Sequence, residues 1–434
     1  MDIISIIEKK KNRLTLNESE IDFALNGYLE GSIPDYQMSA LLMAIWFNGM
    51  NYQEINKLTM SMAKSGEIID LSSIPGIKVD KHSTGGVGDK TTIALIPMVA
   101  AAGVPVPKIS GRALGHTGGT VDKLESIANF KTDLTVENFI SSVKKINASI
   151  IGSTINIAPA DHKIYALRDV TGTINSIPLM ASSIMSKKIA GGADALVLNV
   201  TVGEGAFLNN FEDAISLGEI MVNIGKSNHK KTYAVISSME QPLGYAVGNS
   251  LEVQEALELL NNKGPSDLKE ICLFLGSYML MAAGIVNKQK DGIKLLKKII
   301  ANGSALTKFM EIVDNQKGNV NQIREPKLLP RAKYKKDINS PFRGFVKKVE
   351  ARIIGQSTML LGAGRMKKGD DIDLSVGIVL RKKIGDWVNE KEPLATVYYN
   401  DKKKYDLIKD SILKAFHTTD KRPEGKPLIL KVIS

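Results

Sequence analysis

The sequence predicts an α/β protein with a small all-helical lobe, a large α/β lobe with a mostly parallel mixed sheet, and a β-rich α+β C-terminal domain. Three observations predict it. Residues 1–68 read as capped amphipathic helices, short β-type runs alternate with longer helical patterns over 70–315, and 342–434 carries strand-like runs broken by Gly-Asp turns. Alternation of strand and helix argues for parallel strands, with ligands held beyond their carboxyl ends.

Composition bounds what such a protein can be. At 434 residues the chain is too long for one core, and 43% apolar with 24% charged residues is ordinary globular composition. No apolar run reaches spanning length without charges, and Met1-Asp2 is not a basic leader start, so a cytoplasmic protein with no membrane partner is expected. The single cysteine, Cys272, lies in an apolar helical run, which excludes an internal disulfide and predicts a buried structural thiol. The net charge of +11 comes from lysines dispersed over helices and tail, with few aromatics to stack bases. That argues against a nucleic-acid partner and leaves a field that favours anions.

In chain order, Asn17 with Glu20 and Asn51 with Glu54 are N-cap pairs that open helices. The first carries Ile21, Leu25, Tyr28 and Leu29 and the other Ile55, Leu58 and Met62; between them a helix from Asp35 buries Met38, Leu41, Leu42 and Ile45. These faces exceed what three short helices cover, so another helix or a second subunit is expected against them.

The run 76–80 then feeds a loop, Lys81-His82-Ser83-Thr84-Gly85-Gly86-Val87-Gly88-Asp89-Lys90, and an apolar helical run begins at Thr91-Thr92. Glycines allow close backbone approach, and the first helical turn offers unpaired N–H groups where the helix dipole favours negative charge. Lys81, Ser83 and Thr92 add a cation and two hydroxyls, which suits a phosphate. The spacing is neither a Walker A loop nor a dinucleotide fingerprint. After a second β-like run at 104–109 comes Ser110-Gly111-Arg112, with a further glycine cluster through Thr120 to Glu125. Two such loops can converge on one oxyanion, whereas either alone reads equally as turn chemistry.

Further β-type runs lie at 195–202 and 232–237, the segment 160–193 is helical, and 316–341, with Pro326, Pro330 and Pro341, reads as a linker. Gly369-Asp370 and Gly385-Asp386-Trp387 mark turns of the last domain, which ends with some helix near 403–416.

The two glycine segments, with Tyr165-Ala166-Leu167-Arg168, Ser183 to Lys187, Val202-Gly203-Glu204-Gly205 and Gln241-Pro242-Leu243-Gly244-Tyr245, resemble the nucleoside phosphorylase II family over essentially the whole chain. This family contains thymidine phosphorylase and pyrimidine-nucleoside phosphorylase. The resemblance implies a pentosyltransferase that splits pyrimidine nucleosides (uridine, thymidine, deoxyuridine) reversibly with phosphate, giving base and (deoxy)ribose 1-phosphate by direct attack at C1′ in a cleft between two lobes. It implies phosphate ligands Lys81, Ser83, Thr92, Ser110 and Thr120, and base ligands Tyr165, Arg168, Ser183 and Lys187, with His82 nearby as a donor or proton shuttle. His82, Arg168 and Lys187 are the expected catalytic residues, the two cations facing the departing pyrimidine. Lys108, where the thymidine-selective branch has methionine, implies tolerance of a ribose 2′-hydroxyl.

The resemblance also implies that 160–193 completes the helical lobe, that a homodimer forms through the helical lobe, and that no organic cofactor is needed; the thin segments near 67–75 and 150–165 that join the two lobes predict that these close on the substrates. A potassium ion is implied on oxygens of Gly88, Lys90, Leu243, Ala246 and Glu255; relatives often carry Thr in place of Lys90. Asn199-Val200-Thr201 replaces the Asp-Val-Lys common in relatives and removes a cation near the sheet. Two rival readings are an anthranilate-type phosphoribosyltransferase, which would need a pyrophosphate and magnesium site, and a catalytically silent nucleic-acid-binding homologue.

Overall fold

A computed structural model describes residues 1–112, 118–153, 156–367 and 369–434; the middle of the second glycine segment, 113–117, lies outside the described residues. The five strands that matter for the site are β1 (Val79–Ser83), β2 (Val106–Ser110), β3 (Ala148–Gly152), β4 (Ala195–Val202) and β5 (Lys231–Ser238). β4 pairs in parallel with β1 on one side and β5 on the other, and β2 pairs in parallel with β3.

All eight residues of β4 are buried, as expected where helices cover both faces of a parallel sheet. Its side chains alternate between two cores. Ala195 and Val197 pack with the helices Thr91–Ala101 and Ser266–Ala282, while Leu196, Leu198 and Val200 pack with Ile177–Ala190 and Phe211–Ser227. Cys272 is a buried free thiol in the first of these cores.

Four helices open the chain: Ile3–Lys11, Glu18–Glu30, Asp35–Asn48 and Tyr52–Lys64. Both expected capping boxes form, Asn17 with Glu20 and Asn51 with Glu54. The helix Ile3–Lys11 escapes the sequence reading because its apolar residues crowd the first turns ahead of three lysines. Asp2 caps it and a buried Lys10–Glu54 ion pair of 2.8 Å fastens it to the lobe. The expected recruit is the helix Pro159–Thr171, which adds Ala160, Ile164 and Leu167 to the helical core.

Three boundary readings need correction. The helix Ile177–Ala190 gives Leu179 to the helical core but Met180, Ala181, Met185 and Ile189 to the core under β4, so 160–193 does not belong wholly to the helical lobe. The 316–341 stretch is no free linker: it holds the helix Asn321–Arg324 and a strand, Tyr334–Asn339, paired with Pro393–Tyr399. Its prolines bracket these elements rather than interrupt them. The C-terminal unit is also not self-contained, because Ala246–Val247 pairs with Gly377–Leu380 and the final strand Ile429–Ile433 returns antiparallel to β5.

Among the described residues, no helix is long and apolar enough to cross a membrane.

Candidate active site

The turn after β1 is built around buried charge. Lys81 is fully buried, and its Nζ donates to Thr91 Oγ1 at 2.5 Å and lies 3.4 Å from Thr92 Oγ1. Burial pulls its pKa below that of an ordinary lysine, opposed chiefly by Asp89. Asp89 accepts from Ser83 Oγ at 2.5 Å and from Thr91 N and Oγ1. Burial disfavours its charge, but Lys81, Lys123 and these hydroxyls outweigh that and hold its pKa well below the usual carboxylate range. Lys123 Nζ in turn donates to Asp89 O at 2.7 Å and pairs with Glu252 at 2.7 Å.

Backbone shape is fixed at two points. Gly88 has φ +76°, and an added Cβ would stand 2.7 Å from Leu243 O, so only glycine fits. Thr201 Oγ1 donates to Gly85 O, and Thr201 N donates to Thr84 Oγ1 at 3.0 Å. The position where relatives carry a cation therefore braces the glycine turn with a hydroxyl.

Ser110 ends β2, and its buried Oγ has no hydrogen-bond partner among the described residues. A buried hydroxyl left without a partner costs stability unless a ligand supplies one. Thr120, half-buried, is the first residue of the short helix Thr120–Leu124. The remainder of the expected second loop, 113–117, lies outside the described residues.

The residues expected to face the base share two helices. Tyr165 and Arg168 stand on Pro159–Thr171, and Ser183 and Lys187 on Ile177–Ala190. The Tyr165 ring centre lies 5.7 Å from Arg168 Cζ and 5.8 Å from Lys187 Nζ, so all four come together. Lys187 Nζ donates to Ser183 Oγ at 3.1 Å and to Asp161 Oδ2; the other carboxylate oxygen, Oδ1, is buried without a hydrogen-bond partner among the described residues. Arg168 departs from expectation. It is 1% exposed and donates to the carbonyls of Thr173, Ile174 and Leu179 at 3.3, 2.6 and 3.1 Å. Three of its five N–H groups thus hold the 173–179 turn, and the other two have no hydrogen-bond partner among the described residues.

A third cluster joins the two sets. Asp80 on β1 pairs with Lys188 at 2.6 Å and stands 3.7 Å from Lys108, and Lys188 also donates to Ile109 O at 3.0 Å. Lys108 is buried and donates to Ile109 O at 2.8 Å; burial, with Lys188 and Lys81 nearby, pushes its pKa well down against the pull of Asp80. His82 is half-buried, and desolvation with Lys188, Lys108, Lys81 and Lys187 around it holds its pKa well below 6.5. It is a neutral imidazole near pH 7.

Sequence reasoning missed Asp80, Asp89, Asp161, Lys123 and Lys188. The available signal was that buried lysines demand carboxylate partners. Asp161 precedes Tyr165 by one helical turn, on the same face.

The expected potassium ligands are brought together, but not for a metal. Lys90 Nζ itself donates to Leu243 O at 2.8 Å, Ala246 O at 2.7 Å and Glu255 Oε2 at 2.5 Å, while Gly88 O accepts from Lys90 N at 2.9 Å. The donor set does not fit a potassium ion, because an ammonium already holds its oxygens.

Comparison with known proteins agrees with this architecture. The helical bundle domain of a glycosyl transferase family matches residues 4–66, the α/β domain of that family matches 76–306, and the pyrimidine nucleoside phosphorylase C-terminal domain matches 345–419. A pyrimidine-nucleoside phosphorylase of Staphylococcus haemolyticus is 54% identical over 409 residues, 94% of each chain. One from Bacillus subtilis is 54% identical over 92% of each chain, and one from Geobacillus stearothermophilus is 49% identical over 434 residues, the full length of both. Among solved structures, an anthranilate phosphoribosyltransferase of Thermus thermophilus has a TM-score of 0.59 at 19% identity, covering 73% of this chain and 100% of its own, a likeness of fold alone. With near-complete coverage at about half identity, the chain belongs to the pyrimidine-nucleoside phosphorylase family of pentosyltransferases.

Proposed function

We propose that the protein catalyses reversible phosphorolysis of pyrimidine nucleosides, with phosphate bound by Lys81, Ser83, Thr92, Ser110 and Thr120 and the base by Tyr165, Arg168, Ser183 and Lys187. A phosphate oxygen forms a bond to C1′ as the C1′–N1 bond breaks, and the bonding pair stays on the base. Negative charge spreads from N1 to the pyrimidine carbonyl oxygens, where the ammonium of Lys187 and the guanidinium of Arg168 stabilise it. The neutral imidazole of His82 donates a hydrogen bond to a base oxygen. Positioning of two substrates supplies much of the remaining acceleration, and no covalent enzyme intermediate or organic cofactor is needed.

Ser110 is the observation that carries the phosphate half of this reading: a buried hydroxyl without a hydrogen-bond partner among the described residues, on a strand end that a second glycine segment follows. The Lys187–Asp161–Ser183 cluster beneath Tyr165 supports the base half. Lys108, buried beside Asp80, supports acceptance of uridine as well as the deoxynucleosides. A homodimer through the helical lobe is supported by the exposed Tyr36, Phe47 and Val170 there. Closure of the base-bearing helices onto the phosphate turn completes the proposal, in a protein working in the cytoplasm with neither membrane nor nucleic acid as partner.

The test is release of uracil and thymine from uridine, deoxyuridine and thymidine with phosphate, comparing parent, Lys187→Ala and Lys108→Met. Loss of all three activities in Lys187→Ala, and selective loss of uridine cleavage in Lys108→Met, is expected. Base release by Lys187→Ala at the parental rate would overturn the base assignment.

A further inference from the structure

The turn that carries the phosphate residues is fastened from beneath by one side chain. Lys90 is 1% exposed and immediately precedes the helix Thr91–Ala101. Its ammonium has three N–H donors and no acceptor, and three oxygens surround it: the carbonyls of Leu243 and Ala246 and the Glu255 carboxylate. Every donor is satisfied. The other Glu255 oxygen, Oε1, accepts from Tyr245 N at 2.9 Å and Ala246 N at 3.1 Å, which fixes the carboxylate in place.

There is no room beside it. A Cβ built on Gly244 would stand 2.1 Å from Glu255 Oε2 and 3.0 Å from Lys90 Nζ, and one on Gly88 would stand 2.7 Å from Leu243 O. Two carbonyls and a carboxylate closing on one point are the oxygen shell of a hard monovalent cation. Here the chain supplies that cation covalently. Desolvation works against the charge of Lys90, but Glu255, Glu252 and Asp267 outweigh it and raise its pKa, so the amine stays protonated.

We infer that Lys90 is a tethered substitute for a monovalent metal ion, and that this protein neither binds nor needs potassium at the 243–246 turn. The ammonium joins three parts of the fold: the phosphate turn through its own backbone, the helix Asn249–Leu260 through Glu255, and the strand Ala246–Val247, which pairs with the C-terminal sheet. A diffusible ion would make that junction depend on solution composition by mass action, and a covalent one does not. The inference stands on the geometry of Lys90 and is independent of which nucleoside the site accepts.

The experiment is thermal unfolding of the intact protein in potassium chloride and in tetramethylammonium chloride at equal ionic strength, repeated on Lys90→Thr. The parent is expected to melt at the same temperature in both salts, within about 1 °C. Lys90→Thr exposes Glu255 to an unneutralised cavity and should melt lower by on the order of 10 °C in tetramethylammonium, recovering part of that in potassium as the ion enters. A saturable, potassium-specific rise in the parental melting temperature would overturn the inference, as would an anomalous thallium(I) peak at Leu243, Ala246 and Glu255 in parent crystals soaked with that ion. If Lys90→Thr fails to fold, the parental melt and soak decide alone.

Discussion

Replacing Asp161 by Asn tests the base side of the site with little change of shape. Asp161 is buried, and its carboxylate holds the half-exposed ammonium of Lys187, which also reaches Ser183 at 3.1 Å. A charge-assisted hydrogen bond of this kind contributes about 1.5–3 kcal/mol. Lys187 is 29% exposed, so solvent screens the pair and the lower half of that range applies. About 1.5–2 kcal/mol corresponds to roughly a 10- to 30-fold fall in kcat/KM for uridine if Lys187 meets charge that develops only in the transition state. The assay is steady-state phosphorolysis with each substrate varied in turn. The loss should sit in kcat, with KM for phosphate unchanged. A double-mutant cycle with Lys187→Ala should be strongly non-additive, because Asp161 acts through Lys187. Equal and additive losses, or an effect confined to the phosphate KM, would refute the assignment of Asp161 as the residue that positions Lys187.

Ser110→Ala removes a buried hydroxyl that bonds nothing in the described structure, so without phosphate the protein should be no less stable and gain up to about 1 kcal/mol, while KM for phosphate rises about 5- to 10-fold. Thr201→Val removes the hydroxyl that donates to Gly85 O and stands 2.9 Å from Thr84 Oγ1, and should raise the phosphate KM more than the nucleoside KM when both are measured. His82 has a folded-state pKa held below its unfolded value near ~6.5, so the stability it contributes is present above that pH and is lost as pH falls. Urea midpoints should therefore drop as pH falls below about 6.5 in the parent, and less so in His82→Asn.

The parts of this protein legible in its sequence are those whose signal is local. Capping boxes at Asn17 and Asn51, the glycine turn after β1 and the Ser183–Lys187 helical pair depend on neighbours within a few residues, and all three form. What escaped depends on pairing across the chain. Asp80 meets Lys188 from 108 positions away, and Thr201 braces Gly85 from 116 positions away. The final strand is a β-type run, but its place beside β5 is set by pairing with residues far earlier in the chain. Lys90 is the sharpest case. The sequence marks it as a departure beside an expected ion, but only the three convergent oxygens reveal that its side chain takes the ion's place.

The most direct measurement is the fate of phosphate, followed by phosphorus NMR as purified protein acts on uridine. A resonance for ribose 1-phosphate should grow in step with free uracil, and no uracil should form when phosphate is left out. Uracil released without phosphate, or phosphate left unconsumed while the nucleoside is cleaved, would contradict it.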